Sequence, residues 1–261
     1  QWKPVGNRIV TPWTEKVDVT SVLPEYPRPI MERNEWKNLN GLWEYAITDV
    51  GKSCPKQFDG QILVPFAVES ALSGVGKAVG KEKELWYCRT FNIPSSWKNK
   101  KILLHFGAVD WKADVWVNGI KVGNHTGGFT PFSFDITAAL VAKGDNQLMV
   151  KVWDPTDDGY QPRGKQVKNP GGIYYTPVTG IWQTVWLEFV PSGYIKTAKY
   201  YPDIENGSFD IELNVTRGGR LTAEAFFDGR AVGSATKEIK GRYARFTLPL
   251  SEKHLWDLGC G

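Results

Sequence analysis

Residues 104–137, LHFGAVDWKADVWVNGIKVGNHTGGFTPFSFDIT, set the pattern for the whole chain. The segment opens with alternating, aromatic-rich residues, as a half-buried strand should. Asp114, Val115, Trp116 and Val117 make a second short strand. Asn118-Gly119 follows, and both residue types tolerate the positive φ that a two-residue hairpin turn demands. Ile120, Lys121 and Val122 lead back, Gly127-Gly128 interrupts, and Phe129 to Phe134 resumes the strand pattern before Asp135-Ile136-Thr137 enters a turn.

The same texture extends outward. Leu39 to Ile47, Gln61 to Pro65, Leu85 to Ile93, Ile102 to Phe106, Gln147 to Trp153 and Thr184 to Val190 read as short strands, separated by Gly, Asn, Asp and Pro. Leu148, Val150 and Val152 alternate with Gln147, Met149 and Lys151. No helical period runs for more than a few turns, so the expected class is all-β, a sandwich or barrel. Residues 1–38 form an extended arm, because Pro12, Pro24, Pro27 and Pro29 prevent regular pairing. Trp13, Tyr26 and Trp36 are candidates to pin it to the sandwich, and Arg28 and Arg33 to pair with carboxylates. After Pro191-Ser192-Gly193 the texture changes. Four further strands follow, with hairpin signals at Gly218-Gly219 and Asp228-Gly229.

Composition excludes several classes. The chain has 261 residues, room for one large or two modest domains. Its net charge is +4, with basic residues scattered apart from Lys98 to Lys101, which reads as a solvated turn. There is no nucleic-acid footprint. No apolar run is long enough to span a membrane. The cysteines, Cys54, Cys88 and Cys260, form no disulfide framework or metal pattern, although a Cys54–Cys88 bridge stays open. His105 lies in an apolar strand and reads as a core residue; His125 and His254 lie in turns. No nucleophile-elbow, zinc-protease or phosphate-loop motif is present. Asp154, Asp157 and Asp158 do not match an EF-hand, and turn capping is their better reading. No metal, cofactor or catalytic residue is expected in this chain.

The ordered series VNG, GNHTGGF and PFSFDIT resembles the N-terminal sugar-binding domain of glycoside hydrolase family 2, the β-galactosidase, β-glucuronidase and β-mannosidase relatives. LNGLWEYAI, VPFAVESALSG, LWYCRTFNIP, NQLMVKVWDPTD and TGIWQTVWLE support the match on either side. The resemblance implies a jelly-roll, galactose-binding-like β-sandwich over residues 39–192. An incomplete immunoglobulin-like β-sandwich over residues 193–261 would follow. It also implies that the catalytic glutamate pair of a retaining glycosidase, about 5–5.5 Å apart, belongs to a (β/α)8 barrel missing from this chain. The expected function is therefore that of a non-catalytic N-terminal region, partnered by that barrel, of an enzyme hydrolysing β-glycosides or oligosaccharides. A freestanding carbohydrate-binding module and a scaffold without sugar affinity are the alternatives. The first residue, Gln1, suggests processing or a cloning boundary, and secretion or a periplasmic location fits the former. In residues 193–261, Leu213, Val215, Phe226 and Phe246 are expected to lose cover, which favours either a loosely ordered region or a homodimer formed through it.

The candidate sugar-contacting residues are Asp154, Asp158, Arg163, Gln166, Tyr174, Tyr175 and Trp182. All but Trp182 lie in a long polar segment, residues 154–180, and loops of this length in compact domains are often functional. The segment can equally be a lid packed on a neighbouring domain. In many family members an acidic residue stands six positions before the Gly of a GI-aromatic-or-His-Arg motif and touches the sugar. Here Tyr174 occupies that position relative to Gly180, and Gln183 replaces the Arg, which points to a different substrate subgroup or a more structural loop.

Overall fold

The structure, a computed structural model, describes residues 2–97, 100–141 and 144–259. Lys98 of the basic run, Gln1 and Cys260 lie outside the described residues. The chain divides into two compact units, one of residues 1–27 and 33–189, the other of residues 28–32 and 190–261.

The first unit contains β1 (Trp36–Asn38), β2 (Gly41–Asp49), β3 (Gly60–Val64), β4 (Lys83–Phe91), β5 (Lys101–Phe106) and β6 (Val109–Asp110). It continues with β7 (Lys112–Val117), β8 (Ile120–Thr126), β9 (Phe132–Asp135), β10 (Asn146–Trp153), β11 (Gly180–Ile181) and β12 (Val185–Val190). A six-stranded sheet runs β3-β2-β4-β10-β7-β8 and a four-stranded sheet runs β1-β12-β5-β9; β11 and β6 form a small ribbon. The two large sheets share one core. Trp43, Leu85, Tyr87, Val115, Leu148, Val150 and Val152 from the first meet Ile102, Leu104, Phe106, Val185 and Leu187 from the second. This is the all-β sandwich that the alternation predicts, since period-2 strands put every second side chain on the buried face.

The outer face of the six-stranded sheet is also partly apolar. Ala46, Trp86, Cys88 and Met149 cluster there beneath Phe58 and Trp116, and Trp86 and Trp116 stack at 5.7 Å. Cys88 is buried and Cys54 exposed, both free thiols among the described residues, so the open Cys54–Cys88 bridge is not realised. Burial raises the Cys88 thiol to about 11, which keeps it protonated and unreactive.

The arm is tied down by one buried acid. Glu188, fully buried on β12, accepts hydrogen bonds from the Tyr26 hydroxyl, from Arg33 Nε at 2.9 Å and from Trp186 Nε1 at 2.9 Å. His105 Nε2 lies 3.1 Å away. Burial alone would raise its pKa, but the His105 charge and the hydroxyl and indole donors hold it well below the usual carboxylate range. Tyr26 and Trp36 meet edge to face at 5.3 Å, whereas Trp13, expected as a third pin, is 67 % exposed. The arm's last residues also form β1, paired to β12. No proline follows Pro29 before Pro55, so their N–H groups are free to join the ladder.

The second unit contains β13 (Ile195–Asp203), β14 (Ser208–Val215), β15 (Gly219–Phe227), β16 (Arg230–Ile239) and β17 (Tyr243–Pro249), in sheets β13-β14-β17 and β15-β16. Leu213 and Val215, expected to lose cover, are buried among Ile211, Ile239, Ala244 and Leu248. Phe246 is half-buried, and Phe226 is 62 % exposed. The cause is strand parity. Leu213 and Val215 occupy the inward positions of β14, while Phe226 falls on the outward parity of β15 with Arg220, Thr222 and Glu224.

The Asn118-Gly119 turn joins β7 to β8 with φ of 51° and 79°, as the hairpin signal predicts. Asn118 does more than turn the chain. Its amide donates to Ala139 O and Asn146 Oδ1, both at 2.8 Å, and its Oδ1 accepts the Gln147 N–H at 2.9 Å. Asn118→Ala therefore combines backbone strain with lost hydrogen bonds and should cost roughly 2–4 kcal/mol. Asn124→Ala, on the exposed edge strand β8, should cost about 0.5 kcal/mol or less. Equal urea midpoints for the two variants contradict this.

Candidate functional site

The long segment between β10 and β11 is organised by hydrogen bonds at its base. Its first residue, Asp154, is 3 % exposed, and its Oδ1 accepts the Thr156 N–H at 2.9 Å. Near the far end, Thr179 donates its hydroxyl to Asp154 Oδ2 and its N–H to Glu69 Oε2, each at 2.9 Å. Glu69 reaches this point from the turn after β3. The loop is thus closed by one threonine held between two buried carboxyl groups. Thr179 fits because it supplies two donors, and its methyl group suits a fully buried position.

The middle of the loop is anchored by Gln166. It is buried, its Oε1 accepts the Val178 N–H at 2.6 Å, and its side chain lies near enough to Asp110 to favour the ionised form of that acid. Around it, Tyr175 N–H donates to Lys165 O at 3.0 Å and Val167 N–H to Tyr175 O at 3.1 Å. Asp110, on β6, faces Gly180 of β11 in the ladder. Two glycines make room for these groups. A Cβ on Gly128 would sit 2.5 Å from Asp110 Oδ1, and one on Gly180 would collide with the Tyr87 hydroxyl, which accepts the Ile181 N–H at 3.1 Å. Trp182 Nε1 donates to Gly128 O at 2.8 Å, which ties the Gly127-Gly128 turn to the residue just after β11.

The electrostatics are unusual for a surface loop. Burial raises Glu69 and Asp110 to about 7 each, aided in both cases by the charge of Asp154. Asp154 is raised as well, by burial first and then by Asp157. Thr179, Gln166 and Thr156 oppose these shifts without cancelling them.

The sequence-predicted residues therefore separate into two groups. Asp154 and Gln166 point inward and hold the loop. Tyr174 and Tyr175 are 49 % and 51 % exposed on its outer surface, together with Tyr160 and Ile173. Trp182 is half-buried with Phe129 against its edge. Arg163 donates to Asp157 O at 2.9 Å, and exposed Asp158 pairs with Lys168 and, at 3.6 Å, with Lys81. Among the described residues, no His, Cys, Asp or Glu group is arranged to hold a metal ion. Glu69, Asp110 and Thr179 escape a sequence reading. The only signal for the two acids is a carboxylate inside an otherwise apolar run, as in VPFAVES and GAVDW, and Thr179 has none.

Comparison with known proteins gives this surface a context. Residues 73–187 match the model of the "Glycosyl hydrolases family 2, sugar binding domain". Residues 73–187 are thus similar to a family 2 sugar-binding domain. The chain is 28 % identical over 254 residues to a beta-glucuronidase of Paenibacillus borealis, covering 88 % of this chain and 41 % of that protein. It is 29 % identical over 216 residues to a beta-galactosidase of Thermoanaerobacter pseudethanolicus, covering 78 % and 28 %. The fold is shared with a Ruminococcus gnavus β-glucuronidase solved in complex with a C6-substituted uronic isofagomine. That match has a TM-score of 0.67, 20 % identity, and coverage of 90 % of this chain and 42 % of that one. The chain spans about two fifths or less of the length of these relatives. The GNHTGGF turn, Asp110, Asp154 and the whole long loop all fall inside the matched residues.

Gln166 is the residue whose loss should separate the loop from the sandwich. Gln166→Ala leaves Asp110 and the Val178 N–H without this partner, at a cost of about 1–3 kcal/mol. Limited proteolysis should then cut within residues 157–177 well before the rest of the unit. Cleavage no faster than in the unaltered protein contradicts the anchoring role.

Proposed function

We propose that this chain is the non-catalytic, sugar-facing N-terminal part of a family 2 glycosidase, and that the whole protein hydrolyses β-glycosidic bonds with retention. The observation that carries this is the family match over residues 73–187, combined with relatives of which the chain spans about two fifths. In this reading the remainder of the protein supplies the two carboxyl groups, and the loop of residues 154–180 forms one wall beside them. Tyr174 and Tyr175 then contribute aromatic faces and edges that favour the apolar side of a sugar ring. The second unit acts as a spacer, and its two antiparallel sheets support an immunoglobulin-like assignment.

The exposure of Tyr160, Tyr174 and Tyr175 favours one second reading, a carbohydrate-binding module that acts without a catalytic partner. Two measurements separate them. The 261-residue chain, incubated with nitrophenyl β-galactoside, β-glucuronide and β-mannoside, should give only the uncatalysed rate. In the longer protein, Tyr174→Ala should lower kcat/KM for the preferred glycoside roughly tenfold, equivalent to about 1.4 kcal/mol. Turnover by the chain alone that disappears on mutation within it overturns the non-catalytic assignment. Unchanged kinetics of the variant, with oligosaccharide binding by the chain alone, supports the module.

A further inference from the structure

We propose that Glu69, Asp110 and Asp154 form a proton-operated latch that holds the loop of residues 154–180 closed in mildly acidic solution and releases it as the solution turns alkaline. The inference concerns how the loop is held, and it stands independently of what the loop recognises.

The geometry comes first. The three carboxyl groups are 2–4 % exposed. They meet the loop at its start, its middle and its end. Asp154 is the first loop residue, Asp110 acts on Gln166 in its middle, and Glu69 bonds Thr179. The groups facing the cluster from every element packed against it are Tyr87 on β4, Asp157 in the loop, and main chain from Gly128 and Gly180. Among the described residues, no cation is among the groups acting on the three acids. Arg163 donates to a carbonyl, Lys168 and Lys81 pair with exposed Asp158, and Lys77 and Lys165 are exposed. Moreover, Glu69 Oε1 is buried with no hydrogen-bond partner among the described residues. An ionised carboxylate in that position leaves a charged oxygen unsolvated, whereas a protonated one carries no net charge.

Ionisation of the cluster places like charges together in a dry site. The stress is relieved by admitting water. The surrounding strands are fixed in ladders, so the loop is the part that yields at the lowest cost. The raised pKa values set the window. Glu69 and Asp110 titrate near 7 in the closed form and near 4.5 and 3.8 when solvated. The closed form therefore holds more protons than the open form between those limits. Closure is favoured most at the acid end of this window, weakens as pH rises through about 7, and is weakest above it.

Hydrogen exchange of the whole chain at pH 5.5 and pH 8.5, corrected for intrinsic exchange rates, tests the latch. Amides of residues 165–179 should exchange at least tenfold faster at pH 8.5 after correction, while those of β5 and β10 stay unchanged. The Glu69→Gln/Asp110→Asn double variant should remove that pH dependence. Loop protection equal at the two pH values, or a pH dependence that survives in the folded double variant, overturns the proposal. Because the double variant can fail to fold, carboxyl carbon shifts of the unaltered protein give a second readout. Titration of Glu69 and Asp110 near neutrality supports the latch, and titration of both near 4 overturns it.

Discussion

Thr179 is the point on which the candidate site depends. Its two donors are divided between Glu69 and Asp154, acids contributed by distant parts of the chain, and this division closes the long loop between β10 and β11. Without it, the two buried acids lose their shared partner and Gln166 loses the frame that aims it at Asp110. The exposed tyrosines then have no fixed platform. A loop of this length carries a substantial ordering entropy, and a few buried hydrogen bonds at its base offset it more effectively than contacts along its exposed length.

A comparable arrangement holds the arm. Glu188 gathers Tyr26, Arg33, His105 and Trp186 around a single buried carboxylate. The two acids illustrate opposite solutions to one problem. Glu188 is surrounded by donors and positive charge, so it is held ionised. Glu69 shares its site with other acids and an unpartnered oxygen, so burial favours its proton. The first solution gives a fixed structural joint, and the second gives a joint sensitive to protons.

Much of the fold was legible because it is encoded locally. Leu148, Val150 and Val152 alternate toward the core, and Asn118-Gly119 turns where its residue types require. The site was legible only in outline. The long loop stood out by length and polarity, and Tyr174 and Tyr175 are on its surface as candidates should be. Asp154 and Gln166 looked equally polar in sequence, yet both are buried. Their environment is set by Glu69 and Asp110, far away along the chain, and no local pattern reports such pairing. Trp13 shows the converse. An aromatic residue in the arm looked like an anchor, but the neighbouring Tyr26–Trp36 pair and the Glu188 contacts already supply one.

The central claim is that the loop's architecture is fixed at its base by Thr179 rather than by contacts along its exposed length. Hydrogen exchange of a Thr179→Val variant tests it most directly, since valine keeps the shape and removes the hydroxyl donor. The account predicts that protection falls across residues 156–178 while β4, β5 and β10 retain theirs. Unchanged protection of the loop, or an equal loss of protection throughout the first unit, would contradict it.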